Sequence, residues 1–339
     1  MFKKLLMIYL TKFFERDNLK KIYYKIEELY FKLKFLIYRI LSLIIINKFW
    51  LKAQFKNQRF IHSKTFSKLK DKKFIRKHNF LKEELKNIKN NNYCFLSKKY
   101  HNYTKSQFVK ITNDNEYKNI NWFHDPIRNL NFDLKTYYKN FDYLKMRPKN
   151  FDIKYPWELS RLQHLTILGQ NYIISEDDNC LDEIIFQIND FNQNNPIGYS
   201  INWTCTMDVA IRAANISIAC NYLMTSKKNS SQIIDIYRKL YLHGIFIYEN
   251  LENTYEVTSN HYLSNLVGLL YVANTFKTKS FGKKWLNFCV NELESEIEKQ
   301  IEKDGSDYES SIPYHKLVLE LFLSAYRLSL ISNFNFTKN

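Results

Sequence analysis

Residues Met207–Leu223 read MDVAIRAANISIACNYL. Val209, Ala210, Ala213, Ala214, Ile216, Ile218 and Ala219 leave almost no polar face. A helix with that pattern is covered by neighbours on most sides. It needs other helices around it, and the flanking sequence supplies them. Upstream, Pro156 can occupy the first turn of a helix running through Trp157, Leu159, Leu162, Leu165 and Leu168. A second helix is predicted over about Leu181–Phe191. It stops before Asn195-Pro196, because the residue preceding a proline disfavours the α region. Downstream, Ser231–Asn250, His261–Phe276 and Tyr314–Leu330 continue the series. Trp285, Cys289, Leu293, Ile297 and Ile301 recur every four residues as an apolar stripe, with Glu292, Glu294, Glu296 and Glu298 on a solvated face.

The chain has only 6 Gly and 5 Pro in 339 residues. A β-sandwich or barrel needs more turn residues than that. The expectation is an all-α body of helical hairpins, which must stack to bury their apolar faces. They stack either in a line or in a closed toroid. No fixed-period repeat is present, which weighs against a regular solenoid.

The net charge of +17 is unevenly placed. Residues 1–100 hold 26 basic and 7 acidic residues, and the remainder holds 25 basic against 27 acidic. The reading is a basic helical N-terminal arm and linker over 1–115, then a near-neutral body over 116–335. Such an arm suits an anionic partner, including a membrane surface. No aromatic RNA-binding motif or zinc finger accompanies it, so no specific nucleic acid is expected. The apolar run Leu5–Leu10 is short and lacks a small-residue cleavage site, so a cleavable signal peptide is not expected. Phe35–Ile46 is too short for a membrane span and is interrupted by Arg39; an amphipathic helix packed on the body fits better. Residues 61–115 read as a surface-lying linker. Cys94, Cys180, Cys205, Cys220 and Cys289 form no C-x-x-C pair, so neither a disulfide framework nor a metal site is expected, and no cofactor.

Four polar segments interrupt the apolar pattern: DIKYPWELSR (Asp152–Arg161), NPIGYSINWTCTMDVAIR (Asn195–Arg212), SNHYLSNLVGLL (Ser259–Leu270) and QIEKDGSDYESSIPYH (Gln300–His315). Each lies at or just before a predicted helix start, so a closed array of hairpins would gather several on one face. In content, order and spacing they resemble the heparinase II/III-like polysaccharide lyases, over roughly residues 120–330. The resemblance implies an α/α toroid that binds an acidic polysaccharide and cleaves it by β-elimination, with a glycosaminoglycan or alginate as the substrate class. That reaction removes the proton beside a uronate carboxylate and expels the glycosidic oxygen. It needs a partner for the carboxylate, a base and an acid. By resemblance Asn260 and His261 engage the carboxylate, and Tyr314 is the acid, with His315 close by. Arg212 and Trp203 are candidates for substrate contact, and Glu309 for orienting its neighbours.

Bland readings stand beside these. Arg212 can pair with Asp208 one turn away, Trp203 can be core, and the Ser306–Glu309 spacing fits a capping box. Trp157, Glu158 and Arg161 read as scaffold. Relatives in this family carry a C-terminal β-sandwich after the toroid, and no β-rich region follows here. The expectation is therefore an incomplete, truncated toroid that works with a separate or downstream β-sandwich. The base then comes from outside this chain, or is Tyr314 or His261. The resemblance implies a periplasmic location; the missing signal leaves a cytoplasmic one as the alternative. Competing functions are a non-catalytic glycan-binding or surface-polysaccharide assembly protein, a hydrolase using Asp304, Asp307 and Glu309, and an adaptor acting through residues 1–100.

Overall fold

The computed structural model describes residues 17–54, 80–96, 98–112, 115–142, 152–225, 230–253 and 258–336. The Leu5–Leu10 run and residues 61–79 of the expected linker lie outside the described residues.

Helix α1 (Asp17–Ile45) docks on the body through Phe31, Phe35 and Ser42, which are buried. Phe31 lies against Gly198, whose φ of +77° and lack of a side chain make room; a Cβ there would sit 2.4 Å from the Phe31 ring. Tyr38 Oη donates to Glu249 at 3.1 Å, and Tyr199 Oη donates to Glu28 at 2.9 Å. The opposite side of α1, with Ile22, Ile26, Leu29, Leu33 and Ile40, is more than half exposed. Among the described residues no helix is long and apolar enough to cross a membrane.

Helix α2 (Phe80–Lys89) buries Leu81 and Ile88. Three small antiparallel pairs follow: β1 with β2 (Asn92–Tyr93, His101–Asn102), β3 with β4 (Thr104–Thr112, Asn115–Ile120) and β5 with β6 (His124–Asp125, Leu130–Asn131). The expected linker is thus partly ordered around Tyr93 and Tyr103, both buried.

The helical body begins at α3 (Lys154–Ser160) and α4 (His164–Ser175). One continuous helix was expected here. The chain instead turns at Leu162, whose φ is +57°. The break lets Leu159, Leu162, Leu165 and Leu168 all reach full burial. It also frees Arg161 to bridge Glu158 at 2.5 Å and Asp208 at 2.6 Å. Then come α5 (Asn179–Asn194), α6 (Thr206–Leu223), α7 (Ser230–Glu249), α8 (Asn260–Thr275), α9 (Ser280–Gln300) and α10 (Ile312–Ser332). Helices α4, α6, α8 and α10 pack in succession as one row. Helices α5 and α7 touch each other behind that row, and α9 packs behind α8. The pairs α4/α5, α6/α7 and α8/α9 are the expected stacked hairpins, and the all-α expectation holds.

The apolar stripe on α9 departs from expectation. Trp285, Cys289 and Leu293 are buried, but Ile297 is 45% exposed. A step of four residues overshoots a full turn by about 40°, so three steps carry Ile297 off the buried face. Glu296 and Gln300 take its place at 0% exposure, with Gln300 Nε2 donating to Glu296 at 2.7 Å. Glu296 is therefore not on the solvated face.

The row is tightest where α8 crosses α6. A Cβ at Gly268 would lie 2.4 Å from the Ala210 carbonyl oxygen. We expect Gly268→Ala to destabilise the protein by about 1–3 kcal/mol, as overpacked cores do. The check is a lowered urea midpoint with unchanged slope; an unchanged midpoint contradicts this close approach.

Candidate active site

The N-terminal ends of α6, α8 and α10 carry Cys205, Asn260-His261 and Tyr314-His315. Ser259 caps α8 in extended conformation, its Oγ accepting from His261 N at 3.3 Å. Two carboxylates, from the loops before α8 and α10, serve these helix ends.

Glu309 is the first. Its Oε1 accepts from Asn260 N at 3.1 Å, and Asn260 Nδ2 donates to both carboxylate oxygens at 2.8 and 3.1 Å. Glu309 thus caps α8 from across the site, where a negative charge meets the positive end of the helix dipole. It begins no helix of its own; Ser306 instead binds Asp304, with N–H and Oγ donating at 2.9 and 2.7 Å. The Asn260 amide is committed to Glu309 in this arrangement.

Glu252 is the second, and no motif in the sequence marks it. Its Oε2 accepts from Met207 N at 2.8 Å, near the start of α6, and from Asn265 Nδ2 at 3.1 Å. Its own N–H donates to Asn265 Oδ1 at 2.8 Å. These bonds aim Oε1 at His261 Nδ1, 3.2 Å away, and at Cys205 Sγ, 3.8 Å away. The Glu252 bond raises the His261 pKa against an opposing effect of burial, with further help from the charges of Glu252, Asp208 and Glu309. Burial pushes the Glu252 carboxyl up, but hydrogen bonds from His261 and Asn265, the His261 charge and the Met207 amide outweigh it and hold it below the usual range. The pairing favours the protonated form of His261, half exposed, beside a fixed carboxylate.

The raised imidazole stabilises the fold fully below the unfolded histidine pKa and loses that effect as pH rises through its folded value. The lowered carboxylate contributes above the unfolded glutamate pKa and loses its effect as pH falls through its folded value. The pair is fully formed only between these limits. We expect Glu252→Gln to shift the His261 titration to lower pH, read from its ring proton shift by NMR. An unmoved titration contradicts the pairing.

The remaining candidates divide. Tyr314 is 47% exposed in the first turn of α10, and its hydroxyl makes no hydrogen bond to Asn260 or His261. His315 is partly buried beside it, with Nδ1 unpartnered, on a pocket shared with Asp307 and Ser311. Arg212 and Trp203 require correction: both are 0% exposed. The Arg212 guanidinium is held between Phe191 and Trp203, 4.6 and 4.9 Å from their ring centres. It donates to Asn202 O at 3.0 Å, Ser160 Oγ at 3.3 Å and His243 Nε2 at 3.2 Å. Asp208 pairs with Arg161 rather than with Arg212. No surface of either side chain remains for a sugar. Of the carboxylates considered for hydrolysis, Asp304 is tied to Ser306, Asp307 is buried and Glu309 is tied to Asn260.

A sequence model of the heparinase II/III N-terminus matches residues 51–336. The chain belongs to the heparinase II/III family. That match begins well before residue 116 and takes in α2 and the small β-pairs. Within the family, a heparin-sulfate lyase from Pedobacter heparinus is 25% identical over 175 residues, which is 50% of this chain and 26% of that protein. The crystal structure of a heparan sulfate lyase mutant from the same organism superposes with a TM-score of 0.54 at 19% identity, covering 76% of this chain and 36% of the other. A heparinase III gene product gives 0.54 at 16% identity, covering 75% and 37%. The chain thus spans 26–37% of the length of these heparinase relatives and shares the helical-hairpin fold of that part.

Proposed function

We propose that the helix ends of α6, α8 and α10 form part of a lyase centre that cleaves a uronate-containing acidic polysaccharide by β-elimination. The observation that carries this reading is the His261 ring, held by Glu252 through a 3.2 Å Nδ1–Oε1 contact at the N-terminal end of α8. Removing a proton beside a carboxylate builds negative charge on that carboxylate. A cationic donor at a helix N-terminus stabilises the charge where it develops. His261 takes this role in our reading. Asn260 has its amide on Glu309, so a substrate carboxylate reaching it must compete with Glu309. Tyr314 takes the proton from beside the uronate and supplies it to the leaving glycosidic oxygen, so that no proton is gained or lost; its exposed phenol stands one loop beyond Glu309. Family membership and the lyase names of the relatives support the same reaction class.

The test is incubation with heparan sulfate, other glycosaminoglycans and alginate, followed by near-ultraviolet absorbance. β-Elimination leaves an unsaturated sugar that absorbs there; hydrolysis leaves saturated ends that do not. Absorbing product from at least one uronate polymer supports the reading. Saturable glycan binding with no such product from any polymer overturns it in favour of a binding protein.

A further inference from the structure

Three potential metal ligands meet at one point: Cys205 Sγ, Glu252 Oε1 and His261 Nδ1, all within 4.8 Å of one another. The individual separations are 3.8 Å for Sγ to Oε1, 3.9 Å for Sγ to Nδ1 and 3.2 Å for Nδ1 to Oε1. We propose that these three side chains bind a zinc-class divalent cation, with the fourth position open to water. Tetrahedral zinc, with bonds of about 2.3 Å to sulfur and about 2.0–2.2 Å to nitrogen and oxygen, sets its donors roughly 3.3–3.6 Å apart. The observed triangle differs from that by a few tenths of an ångström. Thiolate and imidazole together select zinc over magnesium or calcium.

The surroundings hold the donors in this arrangement. The other Glu252 oxygen is pinned by Met207 N–H and Asn265 Nδ2, so only Oε1 is left for an ion. Cys205 sits at the N-terminal boundary of α6, and Ser259 and Glu309 fix the start of α8 that carries His261. Asp208, the other carboxylate near the thiol, is held by Arg161. His261 is half exposed and gives an ion a way in.

Charge also balances. Taken as a thiol, a carboxylate and a protonated imidazole, the metal-free cluster sums to zero. With metal it is a thiolate, a carboxylate, a neutral imidazole and a dication, again zero. The ion replaces about two protons and adds no net charge to a half-buried site.

The proposed lyase centre uses His261 as well. On that reading, metal and substrate carboxylate exclude each other there. Metal binding itself needs no polysaccharide, so the two readings fail separately. The test is calorimetric titration of the chelator-treated protein with Zn²⁺ in two buffers of different ionisation enthalpy, with Co²⁺ as the optical probe. One equivalent of metal is expected, with up to about two protons released and a thiolate-to-cobalt band in the near ultraviolet. Cys205→Ser should abolish that band. His261→Ala, at a half-exposed position, should weaken affinity at least tenfold while circular dichroism stays unchanged. The exposed Cys94→Ser should change nothing. No stoichiometric binding, or a band that survives Cys205→Ser, overturns the proposal.

Discussion

Arg212→Met should lower the folding free energy by about 3–5 kcal/mol, although methionine is apolar and nearly as long. The side chain is wholly buried, and its donors satisfy Asn202 O, Ser160 Oγ and His243 Nε2. Removing it leaves Asn202 O and His243 Nε2 in the core without partners, each worth about 1–3 kcal/mol, and strips a donor from Ser160 Oγ, which keeps its bond to Trp157 O. It also takes a planar cation from between Phe191 and Trp203. Burial lowers the Arg212 pKa to about 9, which still leaves it charged at neutral pH. Burial, and then the Arg212 charge, hold His243 down to about 3, so it stays neutral. Its Nδ1 lies 2.8 Å from Lys239 O, leaving Nε2 as the acceptor that Arg212 needs. Arg212→Lys should recover only part of the loss, because an ammonium cannot fill the fork or stack between the rings. Urea unfolding with constant slope measures both. A stable Arg212→Met variant with weakened glycan binding would restore the substrate-contact reading.

The same residue shows what the sequence could reveal. The pattern in Met207–Leu223 demanded a surrounded helix, and α6 indeed packs on α4, α7 and α8. Apolar periodicity reports which residues face inward, because burial of nonpolar area is what it encodes. It does not report what a polar residue inside that pattern meets. Asp208 lies one turn from Arg212, so a local pair was the simple reading. The break at Leu162 instead delivered Arg161 to Asp208 and left Arg212 to the Asn202 carbonyl, the Ser160 hydroxyl and the His243 ring. That break is a left-handed residue with no glycine to announce it. Asn260, His261 and Glu309 could be singled out because their segments carry motifs, and α8 and its capping loop bring them together. Glu252 could not. Its importance comes from Asn265, Met207, Cys205 and His261 converging on it from two helices, and no spacing within one segment records that.

Tyr314→Phe should reduce formation of unsaturated product by about 10²–10⁴-fold, the usual range for losing a positioned general acid. The loss should fall on kcat with KM nearly unchanged. The hydroxyl donates to an oxygen that becomes basic only as the glycosidic bond breaks, so it contributes to the transition state and little to ground-state binding. Stability should stay within about 0.5 kcal/mol, because Tyr314 is half exposed and its hydroxyl holds no hydrogen bond to Asn260 or His261. This separates it from Arg212, whose replacement is expected to destabilise the scaffold. It also separates it from His261, where Glu252→Gln should move the upper pH limit of activity downward. The raised imidazole is the form that neutralises the uronate, and it would lose its proton earlier. A Tyr314→Phe protein that turns over substrate at the original rate removes Tyr314 from the chemistry. The acid would then have to be another group near the uronate, and His315, adjacent on α10 with an unpartnered Nδ1, is the next to test.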